Sequence, residues 1–378
     1  MRILITGGGT GGHINPALAI AGYIRKLHPG WDVAFAGDPN KMEGRLIPAA
    51  GYKMYPIKMD GLARNLSFKN IGYNLKTLRT AIKALRTADK ILDRFQPELV
   101  IGVGGFVSWP VVRQASKRKI KTMIHEQNTY PGVTTKLLAG KADVVLLPNQ
   151  KAGERLLKTK CKVVVGNPIR DEFIYAERAG ARKKYGISAG EILIVSVGGS
   201  LGAKVFNKVI AEFMAMSKTL PNCRFVHGTG RDYYESFVKK LDEAHVRFNH
   251  PGDRITVTEF IDDMPALMSA CDLMISRAGA STLAELAVTA TPAILIPSPN
   301  VTENHQYHNA KLIEQHGGAV VITEDELTAN LLYDSVKRII SNRETMENMR
   351  RGQQTLAIYD VCDRIYEQLR RICKQVQH

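Results

Sequence analysis

Several features that mark other classes of protein are scarce in this chain of 378 residues or missing from it. It has five cysteines and no C-x-x-C pair, which argues against a disulfide framework or a cysteine zinc site and favours a reducing compartment. No apolar run approaches the ~20 residues that a membrane-spanning helix needs. No D-x-D metal motif is present, and because Met1 leads directly into an apolar run we expect no signal peptide.

Acidic residues are also in short supply, since 36 aspartates and glutamates face 52 lysines and arginines and give a formal net charge of +16. Such an excess indicates an anionic partner surface, either nucleic acid or membrane. The sequence has no RNA-binding motif and no cluster of stacking aromatics, which argues against nucleic acid. The remaining composition, 44% hydrophobic and 23% charged, is that of a globular protein, and the length predicts two domains.

Short apolar runs alternate with helical patterns along the chain in two successive sets. The first set of predicted strands is 2–6, 33–36, 99–103, 121–125, 144–147 and 162–165. The second set is 192–197, 224–227, 256–259, 273–275 and 293–296. Continuous Val, Ile and Leu runs are typical of parallel strands covered on both faces. We therefore predict two doubly wound α/β domains with a cleft between them, at 1–166 and 167–357. A long helical pattern covers 343–373, and its last part, about 358–378, is expected to pack back on the first domain.

Four of the predicted strands end in glycine-rich loops. The first, Gly7-x-Gly9-x-x-Gly12, opens a predicted helix at 15–27, satisfies the dinucleotide fingerprint and is followed by His13. The other loops lie at 102–108, 198–203 and 276–282. Loops of this kind let backbone amides approach a phosphate, and the following helix adds a partial positive charge. Loops in both halves, and the absence of a clear ribose acid other than Asp38 after the second strand, argue against a dehydrogenase.

An ordered set of motifs resembles the MurG family of peptidoglycan glycosyltransferases over nearly the whole chain. The motifs are GGTGGH at 8–13, GGFVS at 104–108, HEQN at 125–128, GNPIR at 166–170, GGS at 198–200, SRAGAST at 276–282 with Glu285, and HQYHNA at 305–310. The resemblance implies a GT-B fold made of two Rossmann-like domains. It also implies metal-independent, inverting transfer of N-acetylglucosamine from UDP-GlcNAc to the 4-hydroxyl of undecaprenyl-pyrophosphoryl-N-acetylmuramoyl-pentapeptide, converting lipid I to lipid II. This step belongs to peptidoglycan synthesis, cell shape and division, and it needs no cofactor.

The resemblance assigns UDP-GlcNAc mainly to the second domain. Glu285, whose two carboxylate oxygens suit the ribose hydroxyls, and Ile261, whose backbone would read the uracil edge, hold the nucleoside. Ser200 and Arg170 match positions near the diphosphate, and Gln306 matches a sugar-binding position. The other matched substrate-binding positions are Thr10, Gly11, Gly12, Asn128, Arg277, Ala280, Ser281, Thr282, Leu283 and Ala284.

His13 is the candidate general base for the acceptor hydroxyl. Its unperturbed pKa, near 6.5, suits proton transfer at neutral pH. The alternative is that His13 only orients the glycine loop. With no metal motif, the helix that follows Gly279 would balance the charge of the departing UDP, together with Ser200 and Arg170.

The basic excess has a candidate location between residues 62 and 95. An apolar stripe with helical period is flanked there by cations that follow one position behind, a pattern that fits an interfacial helix on anionic lipid. The predicted membrane patch consists of Leu62, Leu66, Phe68, Lys69, Ile71, Lys76, Arg79 and Trp109. The implied location is the cytoplasmic face of the cell membrane, as a peripheral protein. The alternative is that the stripe, which continues through Leu75, Leu78, Ile82, Leu85 and Leu92, faces the domain core.

Some positions depart from the family pattern, and other functions stay open. Leu201 stands in place of a usual Gln, Ala290 in place of Gly, His305 in place of Gln and Phe106 in place of Tyr. The alternatives in the same fold are a glycolipid glycosyltransferase and a UDP-GlcNAc 2-epimerase. A nucleotide-dependent regulatory protein or a nucleic-acid binder is the alternative from another class.

Overall fold

A computed structural model describes residues 1–59, 68–199, 201–220 and 222–374, apart from the side chains of residues 68–79, 302 and 374. The chain forms two compact units. The first unit consists of Met1–Arg170 and the residues from Asp360 onward, and the second is Asp171–Tyr359. Within the described ranges, no helix is both long enough and apolar enough to cross a membrane.

The first unit is built on a seven-stranded parallel sheet. Its strands are β1 (Arg2–Thr6), β2 (Asp32–Gly37), β3 (Lys53–Pro56), β4 (Leu99–Gly102), β5 (Lys121–His125), β6 (Val144–Leu147) and β7 (Lys162–Val164). The strand order is β3-β2-β1-β4-β5-β6-β7, so the direction of winding reverses between β1 and β4. In sheets of this kind the ligand crevice lies beyond the carboxyl ends of the strands at that reversal.

Helices of the first unit alternate with these strands. They are α1 (Gly11–Leu27), α2 (Met42–Ala49), α3 (Phe68–Phe95), α4 (Ser108–Lys117), α5 (Val133–Leu138) and α6 (Gln150–Glu154). The C-terminal half of α3 contributes Ala84, Ala88 and Leu92 to a buried cluster that also contains Val111 and Ala115 of α4. The small alanine side chains let α3 and α4 approach closely, while the larger buried side chains, Leu92 and Val111, each contribute about 1.5–3 kcal/mol.

The second unit repeats the plan with a six-stranded parallel sheet. Its strands are β8 (Ile192–Val197), β9 (Cys223–Gly228), β10 (Ile255–Thr258), β11 (Leu273–Ser276), β12 (Ala293–Leu295) and β13 (Ala319–Val321), in the order β10-β9-β8-β11-β12-β13. Its helices are α7 (Asp171–Ile174), α8 (Arg178–Lys184), α9 (Lys204–Met216), α10 (Tyr234–Glu243), α11 (Met264–Ala270), α12 (Ala280–Val288), α13 (His305–Gln315), α14 (Ala329–Ile340) and α15 (Arg343–Gln354). The winding reverses between β8 and β11, which places the loops after these two strands next to each other.

A last helix, α16 (Val361–Lys374), belongs to the first unit and lies against α1. Ile365 and Leu369 line a closed apolar contact with Ile20 and Ile24. The Tyr366 hydroxyl is hydrogen bonded to a histidine of the α1 C-cap. The apolar side chains of Ile20 and Ile24 on α1 are therefore covered by α16.

Several predicted bounds were wrong. Helix α1 begins at Gly11 rather than at residue 15, because Thr10 already has the extended backbone of an N-cap and glycines are tolerated in the first turn. The helical pattern at 343–373 is two helices, and the break before α16 coincides with Asp360, an N-cap type residue whose carbonyl accepts the amide of Arg364. Strands β3 and β13 were not predicted, since one is a short edge strand with a single buried residue and the other spans three residues.

Candidate active site

Two glycine loops of the first unit interlock at the reversal between β1 and β4. Gly104 and Gly105 follow β4 with φ angles of +92° and +77°, a backbone region that favours glycine. A Cβ atom at Gly105 would lie 2.3 Å from the carbonyl oxygen of Gly8 in the loop after β1. Both conditions require glycine, so the motif read from the sequence here reflects the close approach of two backbones.

The first glycine loop already holds an anion that belongs to the chain. Glu43, fully buried at the start of α2, accepts the amide of Gly9 at 2.9 Å and that of Asp38 at 3.3 Å. A Cβ at Gly8 would lie 2.1 Å from the Glu43 carboxylate. The expectation that this part of the loop cradles a ligand phosphate therefore needs correction, because the Gly9 amide is occupied.

No sequence pattern indicated this role for Glu43, since its segment is typical of an ordinary short helix. Gly11 and Gly12 lie just beyond, in the first turn of α1. Amides of a first turn have no acceptor within their own helix. The amides of Gly11 and Gly12 therefore have no acceptor within α1, whereas that of Gly9 is held by Glu43.

His13 lies in the first turn of α1 with its ring against Gly104. A Cβ at Gly104 would be 2.5 Å from the His13 Nδ1 atom, so the second glycine loop makes room for the imidazole. His13 Nδ1 lies 2.8 Å from Oε1 of Gln127. The side chain is half-buried, and the structure thus holds the ring in place from two sides.

Gln127 connects His13 to a second histidine. Its Nε2 atom lies 2.9 Å from Nδ1 of His125 and 3.2 Å from the carbonyl oxygen of Val103. The Nε2 atom of His125 in turn lies 2.8 Å from the carbonyl oxygen of Gly166. The result is a buried chain of polar groups that runs from His13 to the end of β7. The HEQN motif was the only signal of it, and Gln127 and His125 were not among the predicted site residues.

His125 is neutral at physiological pH in this setting. Complete burial lowers its pKa to about 4, and the charge of His13 acts in the same direction. The carbonyl of Gly166 and the carboxylate of Glu126 oppose that shift without overcoming it. The second histidine is therefore a fixed hydrogen-bonding group at neutral pH.

Glu126 organises the loop that follows β5. Its buried carboxylate accepts the amides of Gln127, Asn128 and Gly132 at 2.9–3.0 Å and the hydroxyl of Thr135 at 2.6 Å. It also accepts the side-chain amide of Asn128 at 3.0 Å. The predicted substrate-binding residue Asn128 is thus held in one orientation by its neighbour.

In the second unit, the loop between β11 and α12 has the geometry of an anion site. Gly279 is the extended N-cap residue, and Ala280, Ser281 and Thr282 form the first turn. The hydroxyls of Ser276 and Ser281 are buried and have no hydrogen-bond partner within the described part of the chain. A helix N-terminus with buried hydroxyls nearby suits a diphosphate.

Three further predicted residues lie on the same loop and helix. Glu285 is half-buried one turn after Ser281 on α12, and Ala284 is also half-buried. Leu283 is buried in the helix face that packs inward, so its side chain is part of the core. Among these residues Glu285 alone carries a side chain suited to hydroxyl groups.

The guanidinium of Arg277 is occupied inside the second unit. It pairs with Glu324, donates to the carbonyl of Ile296 at 3.2 Å and lies 5.7 Å from the ring centroid of Phe206. Arg277 is 9% exposed. We therefore interpret it as a residue that holds the β11–α12 loop, which differs from the direct contact predicted.

The other predicted donor-site residues are placed as follows. Ile261 packs on the end of β9, where a Cβ at Gly228 would lie 3.3 Å from its Cδ1 atom. Gln306 accepts the amide of Ser298 at 2.9 Å. Arg170 and Thr10 are exposed, and Ser200 lies outside the described residues.

The predicted membrane patch is only partly described. Leu62 and Leu66 lie outside the described residues, and α3 carries five further members whose side chains are outside the description, namely Phe68, Lys69, Ile71, Lys76 and Arg79. Trp109 is half-buried, with the guanidinium of Arg113 5.6 Å from its ring centroid. Farther along α3 the stripe divides, because Ile82 is 49% exposed whereas Leu92 is buried. The apolar stripe of α3 therefore does not face the core throughout.

Two of the positions that depart from the family pattern have clear local settings. Ala290 follows α12 with a φ angle of +51°, the conformation for which glycine is the usual residue. Leu201 is 68% exposed in the loop after β8. His305 and Phe106 are half-buried and exposed, respectively, at α13 and before α4. Within the described ranges, no group of three or more His, Cys, Asp or Glu side chains could hold a metal ion.

Comparison with known proteins identifies the family to which these two units belong. Residues 3–147 match the model of the glycosyltransferase family 28 N-terminal domain, and residues 193–365 match that of the C-terminal domain. An Acetivibrio thermocellus protein is 40% identical over 375 residues, 99% of each chain. Its name is UDP-N-acetylglucosamine–N-acetylmuramyl-(pentapeptide) pyrophosphoryl-undecaprenol N-acetylglucosamine transferase.

Solved structures agree with this assignment. The crystal structure of MurG from Acinetobacter baumannii has a TM-score of 0.76 and 26% identity, covering 98% of this chain and 99% of that chain. The UDP-GlcNAc 2-epimerase of Neisseria meningitidis has a TM-score of 0.66 at 15% identity, over 98% of this chain and all of that one. At that identity the epimerase shares the fold alone.

Proposed function

This chain belongs to glycosyltransferase family 28, and from that membership we propose that it moves N-acetylglucosamine from UDP-GlcNAc to undecaprenyl-pyrophosphoryl-N-acetylmuramoyl-pentapeptide. The observation that carries the proposal is the 40% identity over 99% of both chains with an enzyme named for this transfer. Both halves of the chain take part in the match, because each corresponds to one domain of the family. The GT-B architecture agrees, with its two parallel sheets of seven and six strands.

The donor is held by the second unit in this proposal. The first turn of α12 and the buried hydroxyls of Ser276 and Ser281 face the diphosphate, and Glu285 accepts the ribose hydroxyls. The backbone of Ile261 reads the uracil edge, and Gln306 orients the sugar. Arg277 supports the β11–α12 loop through its ion pair with Glu324.

Four other residues complete the donor contacts proposed from the family pattern. Arg170 and Ser200 supply a cation and a hydroxyl near the diphosphate, while Asn128 and Thr10 contact the donor from the first unit. Asn128 suits this role since Glu126 holds its side-chain amide in place.

The chemical step is a single displacement with inversion. The 4-hydroxyl oxygen of the muramoyl sugar attacks the anomeric carbon of GlcNAc, its proton passes to His13, and the bond from that carbon to the diphosphate oxygen breaks. UDP leaves with the bonding electron pair, and the developing charge is balanced by the α12 N-terminus, Ser200 and Arg170. His13 is suited to act as base because its ring is already held at Nδ1 by Gln127.

We also propose that the protein works at the cytoplasmic face of the membrane as a peripheral enzyme. The acceptor carries a lipid chain, and the net charge of +16 favours attraction to an anionic surface. The position of Ile82 on α3 supports this placement. Its aliphatic side chain is 49% exposed, and it lies between the predicted patch and the exposed cations Lys83 and Arg86.

Incubation of the full chain with radiolabelled UDP-GlcNAc and a short-chain analogue of the lipid acceptor tests the proposal. We expect label in the disaccharide lipid, with a β-1,4 bond, in buffer containing EDTA as well as in buffer containing Mg²⁺. Conversion of UDP-GlcNAc to N-acetylmannosamine without labelled lipid would instead identify an epimerase. Complete loss of transfer in EDTA, restored by a divalent ion, would contradict the metal-independent mechanism.

A further inference from the structure

We infer that Gln127 is a positioning residue that fixes the tautomer of His13 and so leaves Nε2 of His13 as the proton acceptor. The inference rests on the proposed function for its catalytic consequence. The tautomer itself is a property of the folded chain that can be measured without substrate. The series of hydrogen bonds from His13 through Gln127 and His125 ends at the carbonyl oxygen of Gly166, which can only accept.

The His125 tautomer follows from its partner. Nε2 of His125 lies 2.8 Å from the carbonyl oxygen of Gly166, so Nε2 must carry the proton. Because the ring is neutral, its Nδ1 atom has a free lone pair. That lone pair accepts from Gln127, whose Nε2 atom lies 2.9 Å away.

The orientation of the Gln127 amide follows next. Its Nε2 atom is also 3.2 Å from the carbonyl oxygen of Val103 and 3.1 Å from that of His125. A flipped amide would place its oxygen against both carbonyl oxygens and against the lone pair of His125, three contacts between acceptors. The NH₂ group therefore faces inward, and Oε1 faces His13.

The His13 tautomer is the final step. Oε1 of Gln127 lies 2.8 Å from Nδ1 of His13 and can only accept, so Nδ1 carries the proton. A neutral His13 then has its lone pair on Nε2, on the side of the ring away from Gln127. Catalytic histidines are commonly oriented by a third group that is hydrogen bonded to the ring. In this chain the orienting group is the uncharged amide of Gln127.

Three titratable groups lie near His13 in the described structure. His125 is hydrogen bonded to Gln127 on the side away from His13, Glu43 accepts the Gly9 amide of the first glycine loop, and Glu126 is the neighbour of Gln127 in sequence. Glu43 and Glu126 each accept hydrogen bonds from at least two backbone amides. A carboxylate in place of the Gln127 amide would be the first anion hydrogen bonded directly to the His13 ring.

Nitrogen NMR of the full chain, labelled with ¹⁵N-histidine, tests the structural part. At a pH where His13 is neutral, we expect its Nδ1 to show the shift of a protonated nitrogen and its Nε2 that of a bare one. Assignment uses the signal that disappears in His13→Ala. A protonated Nε2 in the neutral wild-type ring would overturn the inference, whatever the enzyme's substrate proves to be.

Kinetics of the transfer test the catalytic part. Gln127→Met removes the acceptor at similar volume, and we expect kcat to fall about 10- to 100-fold, by analogy with the loss of a partner that orients a metal-binding histidine. KM for UDP-GlcNAc should stay within about twofold. Gln114→Met is the matched control, because Gln114 is another buried glutamine of the first unit and its amide donates to Asp89, away from His13.

Gln127→Glu provides a readout that a merely structural role would not change. Its carboxylate favours the His13 imidazolium and raises the pKa of His13, so the acidic limb of the kcat profile should move to higher pH. Activity lost at neutral pH should then be recovered at alkaline pH in Gln127→Glu and not in Gln127→Met. Unchanged kcat in folded Gln127→Met, or identical pH limbs in wild type and Gln127→Glu, would overturn the positioning role. Failure of wild type to transfer GlcNAc would contradict the proposed function and leave the NMR result to decide the tautomer.

Discussion

At the residue scale, substitution of His13 distinguishes a role as general base from a role in orienting the first glycine loop. If it is the base, His13→Ala should lower kcat ~10²-fold or more while the affinity for UDP-GlcNAc stays nearly unchanged, because base catalysis contributes about 10²–10⁴-fold. Steady-state kinetics and calorimetry on the same preparation measure the two quantities. His250→Ala, at an exposed histidine of the second unit, is the control. Parallel losses of affinity and turnover would support the alternative that His13 only orients the loop.

Glu285 is the residue on which nucleotide recognition depends most directly in the proposal. Glu285→Ala should weaken UDP binding by about 1–3 kcal/mol, the size of a lost hydrogen bond to a charged group. Isothermal titration calorimetry with UDP measures the change, and Glu212→Ala, at an exposed glutamate of α9, is the control. Equal affinities in wild type and Glu285→Ala would remove Glu285 from the site.

Ala290 offers a prediction about stability rather than activity. Its φ angle of +51° costs an L-residue about 1–2 kcal/mol, whereas glycine loses about 0.5–1 kcal/mol through the greater freedom of the unfolded chain. Ala290→Gly should therefore raise the stability of the second unit by up to about 1 kcal/mol. Thermal unfolding measures the shift. Ala244→Gly, at an exposed helix C-cap with a φ angle of −87°, should be neutral or destabilising, and a gain there as large as that of Ala290→Gly would contradict the strain argument.

At the scale of elements, the basic residues of helix α3 are the part of the net positive charge that we propose to bind the membrane. Replacing Lys69, Lys76 and Arg79 by serine should weaken binding to anionic vesicles by about 1 kcal/mol per charge, most clearly at low salt. Turnover on a soluble acceptor analogue should persist. The matched control removes three exposed lysines from the second unit, namely Lys208, Lys239 and Lys240. Similar vesicle binding by the two triple variants would show that the net charge matters and the position does not.

Elements that the sequence predicted well are those whose pattern depends on burial on both faces. Strands β1, β5, β6 and β8 have the predicted bounds, and in each of them all residues except terminal ones are buried. The edge strands β3 and β13 escaped prediction, since few of their residues are buried.

The site was predictable where a motif marks a backbone requirement, as at Gly104 and Gly105. It was not predictable where the partner is distant in sequence. Glu43 reaches the amide of Gly9 across 34 residues, and Gln127 reaches His13 across 114. Such contacts depend on which strands are neighbours, and the spacing of residues in a single sequence does not contain that information.

At the scale of the whole molecule, the described part of each unit contains a buried neutral histidine that makes the unit sensitive to acid. Burial lowers the pKa of His125 to about 4 and that of His227 to about 3. The unfolded chain takes up a proton near pH 6.5 at each position while the folded chain does not, so stability falls as the pH falls below that value. Each unit should lose about 2 kcal/mol between pH 7 and pH 5, at about 1.4 kcal/mol per pH unit.

Thermal unfolding at pH 7, 6 and 5 measures this loss. Burial raises the pKa of Asp143, but the hydrogen bonds from Lys160 and from the Thr122 amide outweigh it, so the pKa is lowered on balance. The stability that Asp143 contributes is therefore present above about pH 4 and is lost only as the pH falls below that value, outside this window. His227→Gln should remove most of the acid sensitivity of the second unit. An undiminished loss between pH 7 and pH 5 in that variant would assign the effect to other groups.

The return of the chain to the first unit has a consequence for synthesis on the ribosome. Helix α16 covers Ile20 and Ile24 of α1, yet it is made only after the whole of Asp171–Tyr359 has been translated. Translation proceeds at about 5–20 residues per second, so the time between the synthesis of Met1–Arg170 and that of α16 is on the order of 10–40 s. Throughout that time the nascent first unit presents an uncovered apolar stripe on α1. The stretch of translation in which this protein depends most on chaperones is therefore the synthesis of its second unit.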